Sequence, residues 1–314
     1  MPSTLSGIIP PLVTPLDESA GVDEPGLARL IERVVSGGVN GLFLLGTTGE
    51  APSLTIDCKT KLVRAACDLA RGRVPVLVNL TATAISEVFA LAEAAAECGA
   101  QAAVLAPPFY YPLSQGELSG YFERIVPRLP QPVYLYNYPQ IFKVPIGIET
   151  LERVSAMPRV LGLKDSSGDM EYFAAVRRRF PAGAGFGLYC GPDRCLSEAL
   201  RLGADGGVSG GANLFPRLYA DLFEAHRHGD NGTVDARQSV VDELVRTICG
   251  VGEPGTGTIQ GIKCALAELG ICSAITAEPL GPVPREQVAR IASAARSLEA
   301  RLVGATGSRN QNTG

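Results

Sequence analysis

Eight short apolar runs, most of them followed by an amphipathic stretch, predict an α/β chain folded as a (β/α)8 TIM barrel with a C-terminal helical appendage. The 314 residues suit one large barrel. A hydrophobic content of 46% against 19% charged residues supplies a sizeable core and argues against disorder. The runs lie at 7–15, 38–46, 74–80, 102–107, 132–138, 160–164, 185–191 and 206–210. They are apolar almost throughout rather than alternating, as strands covered on both faces of a parallel sheet must be.

Helical patterns separate them at 24–36, 56–71, 85–99, 115–129, 148–157, 171–180 and 195–202. The rival is an open, doubly wound sheet. That fold places a glycine-rich phosphate loop after its first strand, and Pro10-Pro11-Leu12-Val13-Thr14-Pro15 contains none. Further helical patterns follow at 215–228, 234–249, 258–269 and 285–302. One closes the barrel and the others form the appendage. The expected division is a barrel over 1–228, a helical region over 229–303 and a flexible, glycine-rich tail over 304–314, with a glycine-rich link at 251–257.

Charge and cysteine usage narrow the function. The net charge is −4 with no basic patch, which argues against nucleic acid as a partner. No apolar run reaches membrane-spanning length and the N-terminus lacks the pattern of a secretory signal, so a cytoplasmic protein without a membrane partner is expected. The eight cysteines form no CxxC pair and read as free thiols in a reducing compartment.

Barrels of this kind carry their chemistry where the strands end. Strand six ends in Gly162-Leu163-Lys164-Asp165-Ser166-Ser167, and Lys164 alone among five lysines closes an apolar strand-like run. A lysine there must be paired, neutral or reactive, because burial lowers an amine's pKa and leaves a nucleophile for carbonyl carbon. It could instead reach solvent or pair with Asp165.

Strand two ends in Gly46-Thr47-Thr48-Gly49-Glu50, where two glycines allow a tight turn that presents amides beside two hydroxyls to a carboxylate or phosphate. The simpler reading is a turn that caps the next helix. On strand five, Tyr134, Tyr136 and Tyr138 share one face, which brings Tyr136 or Tyr138 towards Lys164 if strands five and six are neighbours. The loop Pro107-Pro108-Phe109-Tyr110-Tyr111-Pro112 displays two tyrosines, as an interface would.

Metal chemistry is poorly supported, since the only histidines, His226 and His228, are two apart near a helix end and read as solvated. A Ser-His-Asp triad is disfavoured for the same reason. Glu50 and Asp165 are the candidates for a glycosidase pair, and each has a simpler use as a cap or a lysine partner.

Taken together, Gly46-Thr47-Thr48-Gly49-Glu50, Tyr136-Asn137-Tyr138-Pro139 and Gly162-Leu163-Lys164-Asp165 resemble the dihydrodipicolinate synthase/N-acetylneuraminate lyase family of class I pyruvate aldolases, in order and spacing and over nearly the whole chain. The resemblance implies that Lys164 forms a Schiff base with a keto acid such as pyruvate. It implies that Thr47 and Thr48 hold the carboxylate, with Gly46 and Gly49 shaping their loop, and that Tyr136 moves protons with Thr47. By the same resemblance Tyr110 enters a neighbouring subunit's site, and Gly191 and Val208 line the pocket. A homotetramer built as a dimer of dimers is implied, with no metal or organic cofactor.

One departure bears on the substrate. Synthases of this family usually carry an arginine two residues after the proline of the YN-x-P segment, where this chain has Ile141. Isoleucine cannot clamp a carboxylate. With Tyr138, Ser166 and Ser167 in place, the resemblance points towards aldolases of 2-keto-3-deoxy sugar acids, with Thr256 and Thr258 as further hydroxyl candidates. The synthase and a keto-deoxy sugar acid dehydratase are the alternatives, and a non-catalytic keto-acid-binding barrel is the remote one.

Overall fold

The computed structural model describes residues 5–251 and 256–307. Eight parallel strands are present: β1 (Gly7–Ile8), β2 (Leu42–Leu44), β3 (Val76–Asn79), β4 (Ala102–Leu105), β5 (Val133–Asn137), β6 (Val160–Asp165), β7 (Gly187–Cys190) and β8 (Gly206–Gly207). They pair in the order β1-β8-β7-β6-β5-β4-β3-β2. Just past β1, Pro11 bridges Phe43 of β2. There Leu12 N donates to Phe43 O at 2.9 Å, and Phe43 N donates to Pro10 O at 3.0 Å. The sheet is thereby closed on itself, and no strand is left with an open edge.

The helices are α1 (Glu24–Ser36), α2 (Ile56–Ala70), α3 (Ile85–Glu97), α4 (Gln115–Ile125), α5 (Pro139–Phe142), α6 (Ile148–Ser155), α7 (Met170–Arg179), α8 (Leu196–Arg201), α9 (Pro216–Arg227), α10 (Asn231–Leu244), α11 (Gly257–Glu268) and α12 (Arg285–Gly307). Their starts follow from capping chemistry. Asp23, Thr55, Asp169 and Asp230 each accept a backbone N–H from the first turn that follows. Ser114 and Glu117 cap each other's backbone at the start of α4.

Two apolar layers result. One lies between the sheet and the helices, and the other fills the barrel with Ile9, Phe43, Leu77, Val104, Tyr134, Tyr136 and Tyr189. At one end of the barrel, Leu5 N donates to the Tyr134 hydroxyl at 3.3 Å and the Tyr189 hydroxyl donates to Leu5 O at 2.5 Å. Tyr136 stands two residues further along β5, towards the open mouth.

Several boundaries differ from the sequence reading. The first strand, expected over 7–15, is only Gly7–Ile8, because Pro10 and Pro11 have no N–H for a ladder. The eighth, expected over 206–210, gives way to a 3-10 turn at Gly210–Asn213. The short helix α5 had no periodicity to announce it and begins on Pro139, whose fixed φ suits a first turn. α10 starts at Asn231 and continues into a π-helical turn at Val245–Cys249. α12 continues through 304–307, part of the expected tail. Residues 308–314 of that tail and 252–255 of the link lie outside the described residues. No helix among the described residues is long and apolar enough to cross a membrane.

Candidate active site

Lys164 sits near the end of β6, paired in register with Tyr136 of β5 and Tyr189 of β7. Its Nζ lies 4.0 Å from the centroid of the Tyr136 ring and 4.8 Å from that of Phe43. Aromatic faces offset only part of the water an ammonium gives up. Burial therefore brings the amine down to about 7, with the Asp193 carboxylate the largest opposing influence. Asp165 is not its partner. That carboxylate accepts from Asn137 Nδ2 at 2.7 Å and Ser167 Oγ at 2.8 Å, and Asn137 Oδ1 in turn accepts from Ile146 N at 3.0 Å. Asp165 thus fixes the loop, and the amine has no ion pair among the described residues.

The pH dependence follows. Only the neutral amine attacks a carbonyl, so the rate of adduct formation should rise with pH through about 7 and level off above it. An ordinary lysine would give a rate still climbing near its usual value of 10.5. Stopped-flow trapping across pH 5.5–10 (roughly the window in which such an amine titrates) checks this.

The turn after β2 brings the second group of residues. Thr47 Oγ1 lies 3.3 Å from the Tyr136 hydroxyl. Burial raises the Tyr136 pKa, although hydrogen bonding with Thr47 and Ser166 pulls the other way. The phenol therefore keeps its proton near neutral pH and is able to donate it. Gly49 is packed against backbone, since a Cβ there would lie 3.0 Å from Leu12 O and 3.1 Å from Leu45 N. The Thr14 hydroxyl donates to Gly49 O at 2.7 Å.

Glu50 holds the turn from behind. It has a left-handed backbone, φ 58°. Its carboxylate accepts from Ala277 N at 2.7 Å and forms a fully buried ion pair with Lys263 of α11. Lys263 also donates to Ile275 O at 2.6 Å. Glu50 is thus a lysine partner with no access to the barrel mouth.

These elements enclose a cavity of about 360 Å³. Thr47, Thr48, Tyr136, Tyr138, Lys164, Ser166, Gly191 and Val208 all line it, as does Thr258. Gly191 has to be glycine, because a Cβ there would meet Ser166 Oγ at 1.9 Å. Gly46 and Gly49 shape the turn without lining the cavity, and Ser167, Thr256 and Ile141 also lie outside its wall. Tyr110 is 83% exposed, at φ 115°, and faces a separate hollow with Phe109 and Tyr111, away from its own chain's Lys164.

Sequence reasoning missed Asp193 and Arg194, which line the cavity from the turn after β7. The Asp193 carboxyl is enclosed, although the residue as a whole keeps some exposure. It accepts from the Tyr219 hydroxyl, from Gly211 N at 3.0 Å and from Gly210 N at 3.2 Å, and burial nonetheless raises its pKa. An acidic-basic pair on a short turn has no motif to betray it; only proximity to strand seven could have flagged it. His228 is exposed, whereas His226 is half-buried rather than solvated. No group of three or more metal-ligating side chains occurs among the described residues.

A buried, unpaired lysine faces a hydroxyl-lined cavity at the mouth of an eight-stranded barrel. The profile of the dihydrodipicolinate synthetase family matches residues 4–298. The chain belongs to that family. It is 32% identical to the 4-hydroxy-tetrahydrodipicolinate synthase of Thiobacillus denitrificans, over 95% of this chain and 98% of the relative. It is 27% identical to an N-acetylneuraminate lyase of Escherichia coli, again over 95% and 98%. Among solved structures, the dihydrodipicolinate synthase of Bacteroides thetaiotaomicron superposes with a TM-score of 0.90 at 42% identity, covering 95% of this chain and all of that one. As a dihydrodipicolinate synthetase family member, the chain is an aldolase-type lyase.

Proposed function

We propose that the protein is a class I aldolase that cleaves, or forms, the C3–C4 bond of a 2-keto-3-deoxy sugar acid, with pyruvate as the common fragment. The observation that carries this reading is a desolvated amine at Lys164 beside the Thr47–Tyr136 hydroxyl pair in one cavity.

In the cleavage direction, Lys164 Nζ attacks C2 of the keto acid to give a carbinolamine, and loss of water leaves a protonated imine. Thr47 and Thr48 hold the C1 carboxylate. The C4 hydroxyl passes its proton to the Tyr136 hydroxyl, which hands its own on through Thr47. The C3–C4 electron pair moves into the C2–C3 bond as the imine becomes an enamine, and the aldehyde leaves. The enamine takes a proton at C3, and water then hydrolyses the imine to release pyruvate. The lysine imine is itself the electron sink, so this chemistry calls for no metal or organic cofactor.

Substrate choice rests on the wall around the amine. Tyr138, Ser166 and Thr258 offer hydroxyls to a polyol chain. Ile141, 37% exposed on α5, offers nothing to a carboxylate. The competing reading is condensation of pyruvate with aspartate semialdehyde, favoured by the names of the Thiobacillus and Bacteroides relatives. A keto-deoxy sugar acid dehydratase would share the same enamine.

Pyruvate release from a panel of 2-keto-3-deoxy acids, read with a coupled dehydrogenase, separates these readings from condensation with aspartate semialdehyde. Cleavage of a sugar acid in preference to condensation is the expected result, and efficient condensation alone would contradict it. Ile141→Arg should raise kcat/KM for aspartate semialdehyde by about tenfold, the scale of one charge-assisted contact. We assign Tyr110 to contact with a neighbouring copy in a homotetramer, which a Tyr110→Ala variant examined by sedimentation would test.

A further inference from the structure

We propose that Arg194 forms the far end of the substrate site and grips an anionic group, a carboxylate or a phosphate, on the aldehyde portion of the substrate. The inference rests on the imine-forming reading above and extends it to the part of the substrate that pyruvate does not supply.

Arg194 lies in the turn Asp193–Cys195 immediately after β7 and lines the same cavity as Lys164 on the neighbouring strand. The cavity, at about 360 Å³, has room beyond a three-carbon keto acid. Thr47 and Thr48, which take the keto-acid carboxylate, come from β2, three strands from β7 around the closed ring. In the proposed arrangement, a substrate held at that end and bonded to Lys164 extends its other end towards β7, the strand next to that of Lys164.

Among the described residues that line the cavity, Arg194 and Lys164 are the only cations. Lys164 is consumed in the imine, so Arg194 is the one fixed positive charge available. Arg194 is exposed and has no ion pair or hydrogen bond among the described residues. Its Nη2 would lie 3.7 Å from a Cβ added at Gly250, so the guanidinium sits beside that glycine. The adjacent Asp193 makes no ion pair with it; that carboxylate accepts instead from Tyr219, Gly210 and Gly211. A planar, permanently charged fork at a cavity rim is suited to two-point recognition of an oxyanion. The wall near β5, by contrast, presents Tyr138 and no cation.

The test uses the intact enzyme with saturating pyruvate and three acceptor aldehydes: D-glyceraldehyde (neutral), succinic semialdehyde (carboxylate) and glyceraldehyde 3-phosphate (phosphate). Arg194→Met keeps the aliphatic stem, and Arg194→Lys keeps the charge without the fork. The native enzyme should prefer one of the two anionic aldehydes, and which one identifies the group.

Arg194→Met should lower kcat/KM for the preferred anion by about 10–100-fold, the scale of one charged hydrogen-bonded contact, and change glyceraldehyde by less than about threefold. Arg194→Lys should fall between the two. The KM for the anionic aldehyde should rise with ionic strength in the native enzyme and not in Arg194→Met. Equal use of all three aldehydes, or the same loss on all three in Arg194→Met, would overturn the subsite. A borohydride-trapped pyruvate adduct, measured alongside, keeps the two readings apart. An adduct without anion preference removes only the subsite. No adduct removes the aldolase reading, and the subsite with it.

Discussion

Lys164→Met is expected to reduce turnover on the order of 10³-fold or more, because no other buried amine lines the cavity among the described residues and the covalent route is lost entirely. The same variant should be more stable than the native protein, by at least about 1 kcal/mol near neutral pH. The amine is buried against Tyr136 and Phe43 and held near 7, far below its usual 10.5, so folding works against its protonation. Between those two values the unfolded chain binds the extra proton. The stability of the native protein therefore rises with pH over that window, and the advantage of Lys164→Met is largest at or below about pH 7 and fades towards 10.5. Denaturant titrations at pH 6.5 and 9.5 (roughly the two ends of that window) measure the difference. A Lys164→Met protein that is both inactive and less stable at both pH values would mean that the amine is not paying a desolvation cost.

Lys263→Met is expected to destabilise the protein by about 3–5 kcal/mol, because it leaves the Glu50 carboxylate buried without its counter-charge. The cost should fall back in the double variant Glu50→Gln/Lys263→Met, which removes both charges. The pair also ties the turn that carries Thr47 and Thr48 to α11 and, through Ala277, to the segment before α12. Lys263→Met should therefore raise the KM for pyruvate more than it lowers kcat. Urea titration gives the stability change, and steady-state kinetics give the split. An unchanged urea midpoint in Lys263→Met would show that the buried pair carries no stability.

Lys164 was legible because an apolar run that ends in lysine is costly to bury without purpose. Tyr136 and Tyr138 were legible because period-two alternation puts them on one face of β5. The turn at Thr47 and Thr48 was legible through its two glycines. The partner of Glu50 was not, since Lys263 lies in α11 and only the closed barrel brings the two together. Asp193 and Arg194 were missed for a related reason, because their place depends on where β7 ends and not on any local pattern. The first strand is shorter than its apolar composition suggests, because Pro10 and Pro11 cut the ladder to Gly7–Ile8.

The most direct test of the account is to incubate the protein with pyruvate and sodium borohydride and to map the adduct by peptide mass spectrometry. The account predicts a stable reduced pyruvyl adduct on Lys164, absent from Lys164→Met, with Lys59, Lys61, Lys143 and Lys263 unmodified. A folded protein that leaves Lys164 unmodified, or that carries the adduct on another lysine, would contradict it.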